Sequence, residues 1–250
     1  MTTLPLNDRT VLITGGARRI GAEIARCLHA AGANLMIHYH RSAAEAAQLV
    51  SEFNELRPRS AASTGADLRV TAELDTLVSA TVQQFGRLDV LINNASTFYP
   101  TPVGEITEAH WDDLLGSNLK APLFLSQAAR PALRAAQGLI LNIVDIHGIR
   151  PLKRYPVYSV AKAGLIMLTR SLARELGPEI RVNGIAPGPV MWPADGHADA
   201  ALQAEIVQRT ALKRAGDASD IARAALFFAA DAPYVTGQIL AVDGGRSLGS

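Results

Sequence analysis

Near the start of the chain, an apolar run leads directly into a glycine-rich turn and then into a helical pattern: Thr10-Val11-Leu12-Ile13-Thr14-Gly15-Gly16-Ala17-Arg18-Arg19-Ile20-Gly21. The apolar run has the length of a buried strand. After the turn, apolar side chains recur at helical spacing, at Ile20, Ile24, Cys27 and Leu28. Gly32 is the type of residue that ends a helix. The stretch therefore predicts a strand–turn–helix unit.

The rest of the chain repeats this alternation of short apolar runs and amphipathic segments. After the first strand at Thr10–Thr14, strands are predicted at Asn34–Ile37, Ser63–Ala66, Leu88–Ile92, Leu139–Val144, Arg181–Ile185 and Gln238–Val242. After the helix that begins near Ile20, helices are predicted at Ser42–Phe53, Val70–Phe85, Ile106–Arg134, Tyr155–Leu176, Ala200–Gln208 and Ala218–Ala230. Strict alternation requires parallel strands joined by crossovers, and strands this apolar are covered on both faces. We predict one doubly wound, Rossmann-type α/β domain over residues 1–250, with a seven-stranded parallel sheet and helices on both faces.

Composition excludes several classes of protein. The 250 residues carry 24 Lys and Arg against 23 Asp and Glu, so no overall field favours nucleic acid. No uninterrupted apolar stretch approaches the roughly 18 residues of a membrane helix, and residues 1–8 lack the pattern of a secretory signal. The single cysteine, Cys27, excludes an intrachain disulfide, and the six histidines lack metal-ligand spacing. We expect a cytoplasmic protein with no metal and with neither nucleic-acid nor membrane partners.

The glycine-rich turn predicts a dinucleotide site. Glycines at a strand-to-helix junction let the backbone approach a pyrophosphate, and the helix N-terminus supplies amide donors. An NAD-specific site carries an acidic residue at the end of the second strand, whereas this chain has His38-Tyr39-His40-Arg41-Ser42. Arg and Ser donors, with Arg18 or Arg19 nearby, suit a 2′-phosphate. The pattern favours NADPH over NADH, although a solvated basic turn would give the same residues.

Candidate catalytic residues gather where strands end. Tyr158 and Lys162 are four residues apart in a predicted helix, so they share one face. Asp145 stands at the C-terminal end of the fifth strand, and Asn93-Asn94-Ala95-Ser96 ends the fourth. Asn118 lies in the intervening predicted helix. Ligands of doubly wound folds bind at these strand ends.

Taken together, the chain resembles the short-chain dehydrogenase/reductase family along almost its whole length. The matching motifs are Thr14-Gly15 through Gly21, Asp67, Asn93-Asn94-Ala95, Asn118, Tyr158-x-x-x-Lys162, Asn183, Pro187-Gly188 and Asp243-Gly244-Gly245. The resemblance implies that Tyr158 donates a proton and that Lys162 lowers its pKa and holds the nicotinamide ribose. It implies that Asn118 supports a water chain to the lysine. It also implies that Asp67 and Leu68 flank the adenine, that Asn94 and Ala95 lie along the cofactor, and that Pro187 and Gly188 belong to its site.

Two positions depart from the general family pattern. Arg19 replaces the second glycine of the usual turn, and Asp145 replaces the usual catalytic serine. A ketone reductase needs a neutral donor beside the developing oxyanion, where an ionised carboxylate ~4 Å away would cost about 4 kcal/mol at an effective dielectric of 20.

Both departures resemble the pteridine reductase branch of the family, as do the string His38–Ser42 and the segment Asn93–Pro100. This resemblance implies a pterin stacked between Phe98 and the nicotinamide, with Ser96 on a cofactor phosphate and on the pterin. It implies proton transfer through Asp145 and Tyr158. Family likeness further implies a homotetramer built partly on the Tyr158 helix.

The sequence thus predicts an NADPH-dependent reductase of pterins, which converts dihydropteridines or dihydrofolate-like substrates to their tetrahydro forms. Two alternatives stay open: a carbonyl reductase, for example of 3-oxoacyl thioesters, and a cofactor-binding sensor without turnover. Several single residues have a second interpretation as well. Phe98 fits a core side chain, Asp145 a turn cap, and Trp192 either a lid over the substrate or simple packing.

Overall fold

The computed structural model describes residues 4–190 and 200–248, in which strands and helices alternate. The strands are β1 (Thr10–Ile13), β2 (Asn34–Tyr39), β3 (Ala61–Gly65), β4 (Val90–Asn93), β5 (Leu139–Ile143), β6 (Arg181–Pro187) and β7 (Ile239–Val242). The helices are α1 (Arg19–Ala30), α2 (Ala43–Leu56), α3 (Thr71–Phe85), α4 (Glu108–Leu115), α5 (Ala121–Ala136), α6 (Pro156–Leu176), α7 (Ala200–Gln208) and α8 (Ala218–Ala230). A π-helical turn at Gly116–Lys120 joins α4 to α5, and a 3₁₀ turn at Ile146–Gly148 follows β5.

All seven strands pair in parallel in the order β3-β2-β1-β4-β5-β6-β7, which confirms the predicted doubly wound sheet. The chain runs outward from β1 to β3 and then crosses to the other side of β1 to form β4. The loops after β1 and β4 therefore diverge, and they leave a crevice at the carboxyl ends of these strands. Open α/β sheets bind their ligands at such a switch point.

The core has two layers because successive side chains of a buried strand point to opposite faces. On one face, Val11 and Ile13 of β1 belong to a cluster with Leu28 of α1 and with α8. On the other, Leu12 packs in a cluster with Leu74 of α3 and with α5. Both faces of β1 are fully buried, which explains its uninterrupted apolar run.

Several element boundaries differ from the predictions. Strand β3 begins two residues earlier than expected, at Ala61. Strand β2 runs on to Tyr39, so that His38 and Tyr39 belong to the strand rather than to the turn after it. The predicted helix from Ile106 to Arg134 is divided by the π-helical turn, and Asn118 lies in that turn. The Asn118 amide donates to the carbonyl of Leu114, which competes with the regular helical pairing there.

Within the described ranges, no helix is both long enough and apolar enough to cross a membrane.

Candidate active site

The glycine-rich turn packs directly against the residues that follow β4. The Asn94 amide donates to the carbonyl of Thr14 at 2.9 Å, and the Ala95 N–H donates to Thr14 Oγ1 at 3.0 Å. Gly15 has φ +59°, and a Cβ there would lie 3.0 Å from Cα of Ala95. Only glycine fits this close approach with this backbone conformation. The turn thus lies at the mouth of the crevice beside β4.

Arg19 occupies the position of the missing family glycine and adopts a left-handed conformation, with φ +55°. This conformation explains why glycine is usual there, and for arginine it costs about 1–2 kcal/mol. Arg18 and Arg19 are both exposed, and Arg18 pairs with Glu45 of α2 at 3.3 Å. The two cations thus lie where helix α1 begins, and Ile20 behind them packs on the core.

His38 supports the glycine-rich turn from within the fold. It is 1% exposed, and both of its ring nitrogens are engaged: Nδ1 accepts from the Gly15 N–H at 3.2 Å, and Nε2 donates to the carbonyl of Ala66 at 3.0 Å. Burial lowers the pKa of His38 from 6.5 to about 4, so the ring is neutral near pH 7. His38 therefore holds the glycine-rich turn in place through its ring.

The rest of that string is more exposed than His38, although Tyr39 packs against the core. Tyr39 and Ser42 are half-buried, whereas His40 and Arg41 are exposed. Next to them, after β3, Asp67 accepts from the Arg69 guanidinium at 2.8 and 3.0 Å. These hydrogen bonds lower the pKa of Asp67 to about 2, and Leu68 beside it is half-buried. Asp67 and Leu68 therefore lie next to the end of β2, where the adenosine part of the cofactor is predicted to bind.

The centre of the site is a hydrogen bond between Tyr158 and Asp145. The Tyr158 hydroxyl donates to Asp145 Oδ2 at 2.7 Å, and the tyrosine is 4% exposed. Asp145 also accepts from the His147 N–H at 2.8 Å through its other oxygen. The turn-cap interpretation and the proton-transfer interpretation of Asp145 are thus both compatible with its contacts.

The protonation of Tyr158 differs from the expectation. Burial and the neighbouring Asp145 charge raise the pKa of Tyr158 well above 10, whereas a pKa lowered by Lys162 was expected. Lys162 is 2% exposed, its Nζ lies 5.7 Å from the tyrosine ring centre, and burial lowers its own pKa to about 8. With the carboxylate in direct contact, Tyr158 is held in its neutral, proton-donating form.

Lys162 has N–H donors that no described residue accepts from. Its ammonium group carries three N–H bonds, and among the described residues it donates to the carbonyl of Ile143 at 3.0 Å. A buried ammonium needs further acceptors, such as ribose hydroxyls or water.

Asn118 organises the loop after β4. Its amide nitrogen donates to the carbonyls of Thr97 and Leu114, both at 3.0 Å, and its oxygen accepts from Ser96 Oγ at 2.7 Å. The neighbouring Ser96 hydroxyl partly offsets the rise in the tyrosine pKa. The Asn118 side chain therefore fixes Ser96 beside the Tyr158 hydroxyl.

Phe98 is 42% exposed, so the core interpretation is wrong. One ring face stacks on Tyr155, with ring centres 4.6 Å apart and planes 11° apart. Tyr158 meets Phe98 edge-on at 4.8 Å. Phe98 thus forms an aromatic platform next to the hydrogen-bonded pair of Tyr158 and Asp145.

At the far side of the crevice, the Gly188 N–H donates to the carbonyl of Val242. A Cβ on Gly188 would lie 2.6 Å from Cα of Asp243, so this turn also requires glycine. Pro187, the last residue of β6, is buried. Trp192 lies outside the described residues.

The described side chains fit a dinucleotide phosphate cofactor. The tightly packed glycine-rich turn leads into the start of helix α1, and the exposed side chains of Arg18, Arg19 and Arg41 surround it. Lys162 adds N–H groups that no described residue accepts from. Among residues 4–190 and 200–248, no group of three or more His, Cys, Asp or Glu side chains could hold a metal ion.

Sequence reasoning missed several residues of this site. Tyr155 behind Phe98, and the contacts among Tyr99, Arg69 and Asp113, had no motif to mark them. Arg69 and Asp113 are 44 positions apart, and only the fold brings them together.

The comparisons agree with this geometry. A family model described as enoyl-(acyl carrier protein) reductase matches residues 15–247. Pteridine reductase 1 of Leishmania tarentolae is 38% identical, and the alignment covers 99% of both chains. A 3-oxoacyl-(acyl-carrier-protein) reductase of Staphylococcus epidermidis is 34% identical, over 96% of this chain and 100% of the relative.

Among solved structures, the chain is similar to a blue fluorescent protein from a metagenomic library, crystallised in complex with NADPH. The TM-score is 0.90 and the identity 36%, and the match covers 97% of this chain and 99% of the other. The parallel sheet, the Tyr158–Lys162 pair and these whole-length similarities lead to one conclusion: the chain belongs to the short-chain dehydrogenase/reductase family of oxidoreductases.

Proposed function

We propose that this protein is an NADPH-dependent reductase of pterins, which converts dihydropteridines to tetrahydropteridines. The observation that carries the proposal is the 2.7 Å hydrogen bond between Tyr158 and the Asp145 carboxylate. A carboxylate at this position would repel the oxyanion of a ketone reduction. A ring nitrogen that must gain a proton is favoured by the same arrangement, because Tyr158 can donate its proton to the nitrogen and Asp145, once protonated from solvent, can return a proton to the resulting tyrosinate.

NADPH supplies a hydride when bound. Arg41, with Arg18 or Arg19, would hold its 2′-phosphate, and the glycine turn with Ser96 would hold its pyrophosphate. Asp67 and Leu68 would flank the adenine, and Asn94, Ala95, Pro187 and Gly188 would line the rest of the cofactor. Lys162 would hold the nicotinamide ribose with the N–H groups that the Ile143 carbonyl does not use. The family likeness and the exposed arginines support these roles.

The substrate side of the proposal rests on Phe98. Its 42% exposure beside a buried catalytic pair leaves apolar ring surface for a flat heterocycle. Ser96 and Tyr158 would then meet the polar edge of that ring. The 38% identity to a pteridine reductase supports the same substrate class.

A second candidate, a carbonyl reductase, is favoured by one observation. The Ser96 hydroxyl, held by Asn118, is close enough to Tyr158 to lower its pKa, so a neutral hydroxyl lies beside the tyrosine although Asp145 has replaced the usual serine. Relatives that reduce 3-oxoacyl groups, at 34% identity, support this candidate. A sensor without turnover is the weakest alternative, because the catalytic side chains are all in place.

The test is a screen of NADPH oxidation at 340 nm with dihydrobiopterin, dihydrofolate, quinonoid dihydropterin and acetoacetyl thioesters. The proposal expects the highest kcat/KM with a dihydropterin. A higher kcat/KM with a 3-oxoacyl thioester would favour the second candidate, and no NADPH oxidation with any substrate would favour the sensor.

We also propose a homotetramer in a reducing compartment such as the cytoplasm. Helix α6 exposes Val160 and Met167, at 51% and 61%, on the helix that carries Tyr158. Apolar side chains exposed along one helix are a feature of subunit contacts. Light scattering coupled to gel filtration would measure the assembly, with a mass near 26.5 kDa contradicting it.

A further inference from the structure

A continuous set of ion pairs and hydrogen bonds links the two sides of the crevice. His40 Nε2 lies 3.8 Å from Asp67 Oδ2, and Arg69 donates to both oxygens of Asp67. Arg69 Nη1 donates to Asp113 Oδ1 at 2.9 Å, and Asp113 Oδ2 accepts from the Tyr99 hydroxyl at 3.0 Å. We call these five residues the Arg69 network.

The two ends of the Arg69 network belong to different binding regions. Asp67 follows β3, next to Leu68, on the proposed adenosine side. Tyr99 follows Phe98 and packs against Leu114 and Tyr158, on the proposed substrate side. Arg69 alone bridges the two carboxylates, so every path through the network passes through its guanidinium.

The geometry of Arg69 links the position of Asp67 to that of Asp113. A guanidinium is a rigid planar fork, and here three of its nitrogens are fixed by two carboxylates, so a shift of Asp67 displaces Asp113. Its stem also passes over the π-helical turn, because a Cβ on Gly116 would lie 3.5 Å from Cγ of Arg69. That turn carries Asn118.

The Arg69 network contributes little to the stability of the fold. The Arg69 side chain is 44% exposed, and the carboxylates of Asp67 and Asp113 are about one-quarter exposed. Exposed ion pairs add little to folding stability. The arginine holds the pKa of Asp67 at about 2, while burial and Asp113 raise the pKa of Tyr99 to about 12. The pairing therefore persists across the neutral pH range.

We propose that Arg69 is a positioning residue that couples cofactor binding at Asp67 to the order of the Phe98–Asp113 segment. When a dinucleotide holds the loop after β3, Arg69 fixes Asp113, and Asp113 fixes Tyr99 and the aromatic platform. Coupling of this kind is reciprocal, so a ligand on Phe98 also tightens cofactor binding. The inference rests on the proposed NADPH site, but it does not depend on a pterin substrate.

Hydrogen–deuterium exchange with and without saturating NADP⁺ tests this coupling without any substrate. In the wild type, NADP⁺ slows exchange at residues 14–21, which touch it directly, and also at residues 98–115, which do not. In Arg69→Met, protection at 14–21 remains, and protection at 98–115 is lost. The Kd for NADP⁺ rises about 2- to 5-fold, as expected for an exposed ion pair.

Further variants separate positioning from a general structural effect. Tyr99→Phe keeps the ring but removes the hydroxyl, so protection is lost at 98–102 and kept in α4. Arg69→Lys keeps the positive charge but lacks the planar guanidinium, so it should restore only part of the exchange protection at residues 98–115. Arg134→Met is the matched control, because it breaks another exposed arginine ion pair, with Glu179, and leaves both protected regions unchanged.

The possible outcomes distinguish this inference from the proposed function. Wild-type protection at 14–21 with unchanged protection at 98–115 in Arg69→Met would overturn the coupling alone. No protection at 14–21 in the wild type would overturn the cofactor assignment and the coupling with it. If Arg69→Met does not fold by circular dichroism, Asp113→Asn makes the same test, since it keeps the side-chain shape and removes one charge of the bridge.

Discussion

The Tyr158 hydroxyl is the group best placed to donate a proton, because it is buried, neutral and 2.7 Å from a carboxylate that can resupply it. Tyr158→Phe keeps the ring and its edge contact with Phe98 while it removes the proton. We expect kcat to fall about 10²–10⁴-fold, with little change in the Kd for NADPH. Stopped-flow hydride transfer and cofactor titration measure the two effects. An unchanged kcat would remove Tyr158 from the mechanism.

His38 predicts a pH dependence of stability that is independent of activity. Its pKa is about 4 in the folded protein and 6.5 in the unfolded chain, so between these values the unfolded state binds more protons. The contribution of His38 to the free energy of unfolding is therefore fully present above pH 6.5 and is lost as the pH falls toward 4. From the shift, the loss between pH 8 and pH 5 is about 2 kcal/mol. Urea unfolding at both pH values measures it.

The matched variant for this effect is His38→Gln, which removes the titrating group but keeps a donor and an acceptor near Gly15 and Ala66. Its stability should change less between pH 8 and pH 5 than that of the wild type. His29, whose pKa is also lowered by burial, contributes the same sign in both proteins and cancels from the difference. Equal pH slopes would show that His38 does not titrate on unfolding.

At the scale of elements, the end of β2 and the start of α2 define the predicted cofactor preference. Arg41 is exposed there, and the family alternative for NAD is an acidic residue. Arg41→Asp should raise the KM for NADPH by about 10-fold or more, since one charge-assisted phosphate contact is worth about 1.5–3 kcal/mol. The KM for NADH should change much less. Steady-state kinetics with both cofactors provide the measurement, and equal effects would contradict the assignment.

The π-helical turn between α4 and α5 predicts a second effect at this scale. Asn118→Ala leaves the carbonyl of Thr97 and the Ser96 hydroxyl without their amide partner. Unfolding free energy should fall by about 1 kcal/mol, the usual net contribution of a hydrogen bond, because Ser96 is exposed and Thr97 is half-buried, so that water can replace the lost amide. Because Ser96 loses its position beside Tyr158, kcat should fall as well. Thermal unfolding and kinetics at a temperature below the transition separate the two effects, and an unchanged kcat would confine Asn118 to stability.

The central strands could be predicted because burial on both faces favours a nearly continuous apolar run, as in β1 and β5. The residues at which the elements begin and end could not be predicted in the same way. The π-helical turn depends on the Asn118 amide, which reaches the Leu114 carbonyl and the distant Thr97. Strand β2 includes His38 because buried partners satisfy its ring, and a sequence pattern reads the same histidine as a polar turn residue.

Over the whole molecule, motif spacing predicted which side chains meet at the ends of β4 and β5. It did not predict their protonation. The Tyr158 pKa depends on how deeply α6 buries the ring and on its distance from Asp145, and both are properties of the assembled fold. Arg69 and Asp113 likewise carry no local signal, because their pairing arises only when α4 packs beside the loop after β3.

The two enzyme candidates differ in what they require of the assembled crevice, so paired substitutions separate them. Asp145→Ser restores the neutral donor of a ketone reductase and removes the carboxylate next to Tyr158. For a pterin reductase, pterin turnover should then fall by about 10²-fold. Phe98→Ala should weaken pterin binding by about 1 kcal/mol or more, through lost stacking. Both variants should retain NADPH affinity, measured by fluorescence titration. If Asp145→Ser keeps pterin turnover and increases that of a 3-oxoacyl thioester, the carbonyl candidate replaces the pterin one, because only an oxyanion benefits from exchanging the carboxylate for a hydroxyl.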